Sequence, residues 1–276
     1  MNTSPFSSAP GILAENGRQF LRLWRGRGQN STVQHWSVRQ FVIPFVVLIA
    51  IIASAATLID ERSVIAMRGV SFTWQRIFAA ITQIGWSGYL FAISGILAFA
   101  ATFAARTGDT LQARAGLILL AHRAVLVFAV LATSGIAAQV LKHLVGRARP
   151  RLLAEFGPFH FDLFSIKASL ASFPSGHTIT VFATAWALAL FLPRLRWPLY
   201  AVACLVGISR VVIGAHYPSD VFAGAAIGVF SAMLTAHAFA RRQIALEFWE
   251  GGVRPRGRGL VIAALRALFQ AGKARA

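Results

Sequence analysis

Three short stretches of this sequence carry polar residues of the types that phosphoryl transfer needs. The first stretch holds Lys142 and Arg149, which lie seven residues apart and would share one face of a continuous helix. The second stretch ends in Ser175, Gly176 and His177, directly before an apolar segment. Ser175 can cap the helix that follows, and the unpaired amides in the first turn of that helix favour a bound phosphate.

The third stretch adds Arg210, His216 and Asp220. Cations can neutralise the equatorial oxygens of a transferred phosphoryl group, and arginine does so with bidentate geometry. One histidine can attack phosphorus while the other protonates the leaving oxygen. From the residues alone, either His177 or His216 could be the nucleophile. The neighbouring Asp220 could hold the tautomer of an attacking imidazole, which favours His216.

Each of these residues also has a purely structural explanation. Arginines beside apolar segments commonly anchor lipid headgroups, and a single histidine near a membrane interface is commonly a hydrogen-bonded structural residue. Chemistry is favoured because cations, histidines and a carboxylate recur together at the ends of apolar segments. The 9 acidic residues form no cluster suited to a two-metal site, so we expect side chains to supply the positive charge, without a metal or cofactor.

The composition indicates a membrane protein. Of the 276 residues, 57% are hydrophobic and 13% are charged, whereas a soluble domain carries about 25% charged residues. The 27 Lys and Arg residues outnumber the 9 Asp and Glu residues and flank the apolar segments. This distribution points to a lipid bilayer as the partner and not to nucleic acid. The single cysteine, Cys204, excludes an intrachain disulfide and a cysteine-based zinc site.

Transmembrane helices must position the reactive residues, and they predict an all-α, polytopic membrane helix bundle. Six stretches are long and apolar enough, or nearly so, to span a bilayer: 41–58, 86–105, 125–141, 176–192, 197–213 and 221–240. Residues 116–122 extend the third. Gly224 and Gly228 form a GxxxG motif, which indicates close packing inside the bundle; a homodimer seam is the alternative.

The distribution of basic residues predicts the orientation. Both ends of the chain are rich in arginine and are expected to be cytoplasmic, which requires an even number of spans. The domains are then a cytoplasmic segment at 1–40, a six-span catalytic domain at 41–240 and a basic cytoplasmic tail at 241–276. The first apolar run begins only near residue 41, so we expect no cleaved signal peptide. The link 142–175 is outside yet basic, which calls for a functional reason.

Three weaker amphipathic segments, at 17–25, 63–81 and 260–269, are interpreted as helices lying in the membrane interface. A disordered basic tail is the alternative for the last of them. Residues 154–172 form a long loop that could cover the site and select the headgroup, or serve as an ordered plug without substrate contact. His143, Arg147 and Arg151, which flank the first reactive stretch, are left without a role.

The three stretches resemble the three motifs of the type 2 phosphatidic acid phosphatase (PAP2) family, in order and in spacing. The matching residues are Lys142-x6-Arg149-Pro150, Pro174-Ser175-Gly176-His177 and Ser209-Arg210-x5-His216-x3-Asp220. The resemblance implies a core similar to that of vanadium haloperoxidases and a phosphatase that works without a metal. The six-span layout extends the likeness over most of the chain.

The resemblance also implies a role for each matching residue. His216 would attack phosphorus and become phosphorylated, Asp220 would orient it, and His177 would protonate the leaving group and later activate water. The phosphate oxygens would be held by Lys142, Arg149, Arg210, Ser175 and the amide of Gly176.

Together these observations predict an integral phosphatase of a bacterial inner membrane, with its active site on the periplasmic face. The expected substrate is a lipid phosphate monoester or pyrophosphate: phosphatidylglycerol phosphate, phosphatidic acid, undecaprenyl pyrophosphate or a lipid A phosphate. Two alternatives are a vanadate-dependent oxidoreductase of the haloperoxidase type and a non-enzymatic lipid-binding or transport protein. The six spans argue against the first, and an intact set of nucleophile, acid and carboxylate argues against the second.

Overall fold

The computed structural model describes residues 38–107, 110–249 and 252–275, and most of them are helical. The predicted interfacial helix at 17–25 lies outside the described residues. The helices are α1 (Val38–Leu58), α2 (Asp60–Arg68), α3 (Phe72–Thr82), α4 (Ser87–Thr107), α5 (Leu111–Val145), α6 (Leu153–Phe156), α7 (Gly176–Phe191), α8 (Arg196–Val212), α9 (Pro218–Arg241) and α10 (Arg258–Arg275). A short antiparallel hairpin of β1 (Leu246–Trp249) and β2 (Gly252–Pro255) precedes α10.

Each of the six predicted spans corresponds to a helix. Among the described residues, four helical stretches are long and apolar enough to cross a membrane: Phe72–Arg106, Leu111–Val145, Pro193–Val212 and Pro218–Arg241. A fifth is formed if α1 and α2, which bend by 47° at their junction, count as one broken span. Helix α7 is apolar but has only 16 residues. The multi-pass helical architecture is confirmed, and the exact count of six stays a prediction.

Of the expected interfacial helices, the one at 63–81 is divided, whereas the one at 260–269 is present within α10; their location in the interface stays a prediction. The segment at 63–81 divides into α2 and α3, and a short 3-10 turn at Gln83–Gly85 then leads into α4. In the C-terminal segment a hairpin precedes α10, which packs against α5. The hairpin was not predicted because strands of four residues in an Arg- and Gly-rich stretch carry too little alternation to be recognised.

Helices α7 and α9 form the centre of the bundle, and the GxxxG motif of α9 is what lets them approach. A Cβ atom on Gly224 would lie 2.8 Å from the Ser175 carbonyl oxygen, and one on Gly228 would lie 2.5 Å from the Ile179 carbonyl oxygen. Both glycines therefore face the backbone of α7, which confirms packing inside the bundle as their role. Nearby, α5, α7 and α9 contribute a buried apolar cluster that includes Leu126, Ala183 and Ala236.

We expect Gly228→Ala to lower the thermal unfolding temperature of the purified protein in detergent. The added methyl group meets α7 backbone, which cannot move aside as a side chain can, and overpacking of this kind costs about 1–3 kcal/mol. Gly135→Ala in α5 is the matched control, because no heavy atom lies within 4 Å of the position that its Cβ would take. Equal unfolding temperatures for the two variants would contradict the assigned packing.

Candidate active site

The predicted site residues come from four separate parts of the chain and meet at one end of the bundle. The last turn of α5 carries Lys142, the last turn of α8 carries Arg210, and the first turns of α7 and α9 carry His177 and Asp220. His177 is close enough to four other motif residues for their charges to act on it: Arg210, His216, Lys142 and Arg149. The structure therefore brings together all the residues that the three sequence motifs singled out.

Lys142 and Arg149 do not share a helix face, so the interpretation based on their spacing was wrong. Helix α5 ends at Val145, and Gly146 adopts a left-handed conformation with φ of 60° while its amide donates to the Lys142 carbonyl. That conformation is easy only for glycine and stops the helix before Arg149. Arg149 is instead held by the following loop, where its Nε donates to the Ala168 carbonyl at 2.9 Å.

Ser175 occupies the cap position of α7, but the predicted cap hydrogen bond is absent. The Ser175 side chain makes no bond to a first-turn amide, and its hydroxyl instead accepts a hydrogen bond from the Thr178 hydroxyl at 2.9 Å. The predicted capping was wrong in this detail because Thr178, one turn into the helix, supplies a competing donor. The three cations Lys142, Arg149 and Arg210 are called the phosphate cradle below. Gly176 faces this cradle, since a Cβ atom there would lie 3.3 Å from Lys142 Nζ.

The imidazole of His216 is buried and held in one orientation by the loop before α7. Its Nδ1 lies 2.7 Å from the carbonyl oxygen of Ser172, which can only accept, so Nδ1 carries the proton. The carboxylate of Asp220 is 3.7 Å from the same nitrogen, beyond hydrogen-bond range, and acts on the ring through its charge. The Nε2 atom is consequently the nitrogen whose lone pair is available. Sequence reasoning did not single out Ser172, whose contribution comes from its backbone carbonyl.

Asp220 connects the two histidine-bearing segments. Its Oδ2 accepts hydrogen bonds from the Ser172 hydroxyl at 2.6 Å and from the Tyr217 amide at 3.0 Å. Its backbone carbonyl accepts from the Ser175 amide at 3.1 Å. Because Asp220 fixes Ser172, and Ser172 fixes His216, the carboxylate orients the nucleophile candidate indirectly as well as stabilising a positive charge on it.

A buried ion pair network behind Asp220 was not predicted. Arg147 is 3% exposed and donates from Nη1 to Asp220 Oδ1 at 2.7 Å and from Nη2 to Asp60 Oδ2 at 2.8 Å. Asp60 also accepts hydrogen bonds from the amide and the hydroxyl of Ser219. The guanidinium lies 4.2 Å from the ring centroid of Tyr217, within cation–π range. The one available signal was that Asp60 is an acidic residue directly after the first apolar run.

The end of α3 and the turn that follows it form one wall of the site, which the sequence motifs do not indicate. Thr82, the last residue of α3, accepts a hydrogen bond from Arg210 Nη1 at 2.9 Å and so helps to aim the guanidinium. A Cβ atom on Gly85 would lie 3.0 Å from His177 Cβ, so this glycine lets the 3-10 turn pack directly against the histidine. These contacts depend on tertiary packing between elements about a hundred residues apart.

Burial has the largest effect on the pKa values of His216 and Arg149, the two titratable site residues that lie between helices. Burial lowers the pKa of His216, nearby Arg210 and Arg149 act in the same direction, and the Asp220 charge opposes them. Burial likewise lowers the pKa of the Arg149 guanidinium, and the neighbouring Arg151 adds to the effect. The His216 imidazole is therefore neutral near pH 7, which is the form that can attack phosphorus. Over the described ranges, no group of three His, Cys, Asp or Glu side chains is arranged to hold a metal ion.

Three cations and two histidines meet at this end of the bundle, and comparison with known proteins identifies the family of the chain. Residues 123–244 match the model of the PAP2 superfamily. The chain is 40% identical over 161 residues to a lipid A 1-phosphatase of Rhizobium etli, spanning 58% of this chain and 69% of that protein. It is 33% identical over 220 residues to a lipid A 1-phosphatase of Rhizobium johnstonii, spanning 80% of this chain and 87% of that protein.

Among solved structures, the chain is similar to the first transmembrane PAP2 type phosphatidylglycerolphosphate phosphatase from Bacillus subtilis. The two are 26% identical, with a TM-score of 0.46, and the match covers 69% of this chain and 92% of that chain. The family match includes every motif residue from Lys142 to Asp220, and the Rhizobium relatives extend the similarity over most of their length. The chain therefore belongs to the PAP2 superfamily.

Proposed function

We propose that this chain, a membrane-bound lipid phosphatase by its family, hydrolyses a lipid phosphate through a phosphohistidine at His216. The observation that carries the proposal is the state of the buried His216 imidazole. Its Nδ1 is engaged by the Ser172 carbonyl and its Nε2 is left as the reactive atom. A neutral, oriented imidazole among cations is the arrangement that attack on a phosphate requires.

The first step is attack of His216 Nε2 on phosphorus. A P–N bond forms while the bond from phosphorus to the lipid oxygen breaks, and the imidazole becomes positively charged. The charge on the phosphoryl oxygens is shared by Lys142, Arg149 and Arg210, with the amide of Gly176 and the Ser175 residue completing the cradle. These positive charges are already in place, so stabilising the transition state requires no rearrangement of solvent.

His177 serves as the acid and then as the base. In the first step it donates a proton to the departing lipid oxygen, so that the lipid leaves as an alcohol. In the second step it accepts a proton from a water molecule that attacks the phosphohistidine, the P–N bond breaks, and His216 returns to its neutral form. The support for this role is the position of His177, within range of His216 and of the three cations that hold the phosphate. Those cations oppose protonation of its imidazole, and the negative charge of the bound lipid phosphate offsets them until the proton is donated.

Asp60 and Arg147 act as positioning residues that set the charge beside His216. Arg147 alone would cancel the charge of Asp220, which lies 2.7 Å away. Asp60, 2.8 Å from the same guanidinium, offsets Arg147, so the three groups retain one net negative charge next to the imidazole. That charge stabilises the cationic phosphohistidine, while the hydrogen bonds keep Asp220 in place.

A lipid A carrying a 1-phosphate is the proposed first choice among the four candidate substrates. The support is that the two Rhizobium relatives, at 40% and 33% identity, are both lipid A 1-phosphatases. A phosphate monoester also fits a cradle of three cations with one acid for one leaving oxygen. The membrane location supplies the substrate by lateral diffusion in the bilayer.

We further propose that the site faces the periplasm from a bacterial inner membrane, with both termini in the cytoplasm. The support is the excess of arginine at both ends of the chain. The basic segment 142–175, from the last turn of α5 to the start of α7, runs against that charge rule, and its Lys142, Arg147 and Arg149 have another reason to be positive. Two of them bind phosphate in this proposal, and the third neutralises buried carboxylates.

We expect His216→Ala to abolish phosphate release, by at least about a thousandfold, because no other group can form the covalent intermediate. Brief incubation with radiolabelled lipid phosphate should leave an acid-labile, base-stable label on the wild-type protein and none on the variant. His160→Ala is the control, since His160 stacks on Phe156 at the loop surface and should keep normal turnover. Near-normal phosphate release by a folded His216→Ala protein would refute the mechanism.

We expect Asp60→Asn to lower kcat by about tenfold, equivalent to about 1.4 kcal/mol. Loss of the Asp60 charge makes the cationic imidazole less stable and lowers the pKa of His216 further. The acid limb of the pH profile of kcat/KM should therefore move to lower pH. The other charged or titratable groups that act on the ring, Arg149, Arg210 and His177, are the same in this variant. Glu61→Gln, at the exposed neighbouring carboxylate, should leave the profile unchanged.

A purely structural role for Asp60 predicts a different result. In that case Asp60→Asn would lower the unfolding temperature and the amount of active protein, but the acid limb of the surviving activity would stay at the pH of the wild type. An unshifted limb would therefore overturn the charge-balance role, whatever the change in stability.

We expect lipid A to give the highest kcat/KM in a panel that also contains phosphatidylglycerol phosphate, phosphatidic acid and undecaprenyl pyrophosphate. Free phosphate released by purified protein in detergent is the measurement, and mass spectrometry should locate the loss at the 1-position. Turnover should persist in EDTA, because the three cradle cations are side chains. Preference for another substrate in the panel would overturn the substrate assignment, and strict metal dependence would overturn the metal-free mechanism.

A further inference from the structure

The loop between α5 and α7 exposes large apolar side chains at its tip. Phe164 is 73% exposed and Ile166 is 86% exposed, and the adjacent Leu163 is exposed as well. Three neighbouring residues of this kind are costly in water, because their apolar surface gains nothing from the fold. The exposed apolar surface of the tip residues 163–166 therefore indicates a partner other than the described part of the chain.

The tip lies directly beyond a lipid-facing stripe of α5. The stripe consists of Ile136, Val140 and Leu144, which are exposed and spaced by four residues along one face of this membrane helix. The Phe164 amide donates to the Leu144 carbonyl at 3.4 Å, so the loop tip continues from the end of the stripe. His143 Nδ1 lies 3.0 Å from the Ser165 carbonyl oxygen and fastens the tip to the same helical turn.

We propose that the loop tip inserts into the outer leaflet and that lipid acyl chains are its partner. The exposed side chains of Phe164 and Ile166 extend the surface by which α5 already meets lipid. The next residue, Lys167, is exposed and can contact anionic headgroups at the depth where the tip leaves the hydrocarbon. The role of the long loop in this proposal is membrane contact. It is then neither a plug nor a cover that only selects the headgroup.

The inserted tip is connected to the phosphate cradle through Arg149. Two residues after Ile166, the Ala168 carbonyl accepts the hydrogen bond from Arg149 Nε, and the Ser169 carbonyl accepts one from the Arg149 amide at 3.0 Å. A lipid whose phosphate reaches Arg149 therefore has its acyl chains beside the tip. The tip would then favour lipids that carry long acyl chains in a bilayer over short-chain phosphates in water. This specificity rests on the proposed phosphatase function.

The first experiment measures insertion without any reference to activity. Cys204 is the only cysteine, so Cys204→Ser provides a background for a spin label at Phe164→Cys. The control is Glu155→Cys, at an exposed position in the short helix α6 of the same link. The full chain is reconstituted in vesicles of phosphatidylethanolamine and phosphatidylglycerol. We expect the label at 164 to be accessible to oxygen and protected from a water-soluble nickel chelate, and the label at 155 to show the reverse.

Two results of the labelling experiment would overturn the proposal. One is equal access of the nickel chelate to both labels, which would place the tip in water. The other is spin–spin broadening at position 164 that disappears on dilution with unlabelled protein, which would mean that a second copy of this chain covers the tip.

The second experiment compares Phe164→Ser/Ile166→Ser with the wild type on two substrates. For long-chain lipid phosphate in the same vesicles, we expect KM to rise by about tenfold, the loss that corresponds to roughly one buried apolar side chain. For a monodisperse short-chain analogue, kcat and KM should be unchanged. Leu111→Ser is the matched control, because Leu111 is 83% exposed at the opposite end of α5.

Equal losses on both substrates would show that the tip only holds Arg149 in place, and unchanged kinetics on both would show that it has no role in substrate capture. Either result overturns the specificity. If the wild type releases no phosphate from either substrate, the proposed phosphatase function fails instead. The labelling result still decides insertion in that case.

Discussion

The guanidinium of Arg147 lies buried between the carboxylates of Asp60 and Asp220, and these three charges connect three parts of the chain at one end of the bundle. Burying charges is expensive unless each is paired and hydrogen-bonded. Here the pairing is close to complete, because Ser219, Ser172 and the Tyr217 amide take up further oxygens of the carboxylates. The orientation of the His216 imidazole depends on this network, since Asp220 holds Ser172 and Ser172 holds the ring.

Close backbone packing brings the two histidines to each other. Gly224 and Gly228 let α9 approach the carbonyl groups of α7, so the start of α7, which carries His177, lies against the start of α9, which follows His216. The same approach places the Ser175 amide against the Asp220 carbonyl. A bundle with larger residues at these positions would separate His177 from His216, even with every side chain of the three motifs present.

The basic link between α5 and α7 combines tasks that are usually separate. Its first part supplies Arg147 to the buried carboxylates and Arg149 to the cradle, its middle exposes the apolar tip, and its last part provides the Ser172 carbonyl to His216. The proposed membrane contact, the proposed phosphate binding and the orientation of the His216 imidazole are therefore joined within thirty residues of chain. This proximity gives a physical reason for the link to be both long and positively charged.

The sequence alone determined the membrane class, the approximate position of the long helices and the side chains of the candidate site, because long apolar runs and the spacing of three motifs are local properties. It placed Lys142, His177, His216 and Asp220 in one site, since all of them lie at helix ends that must share one face of a bundle. The in-bundle role of the GxxxG motif was also predictable, because small residues spaced by four favour close packing of helices in lipid.

Only the tertiary structure decided which groups touch. The bond from His216 to the Ser172 carbonyl, the pairing of Asp60 with Arg147 and the support of Arg210 by Thr82 join residues 44, 87 and 128 positions apart. No periodicity records such contacts, and a backbone carbonyl leaves no trace in a residue type. Spacing also misled where the chain changed conformation: Gly146 ends α5, so Arg149 reaches the cradle from a loop and not from the helix face that Lys142 occupies. Side-chain chemistry can therefore be read along the chain, whereas the partner of each buried charge depends on how the helices pack.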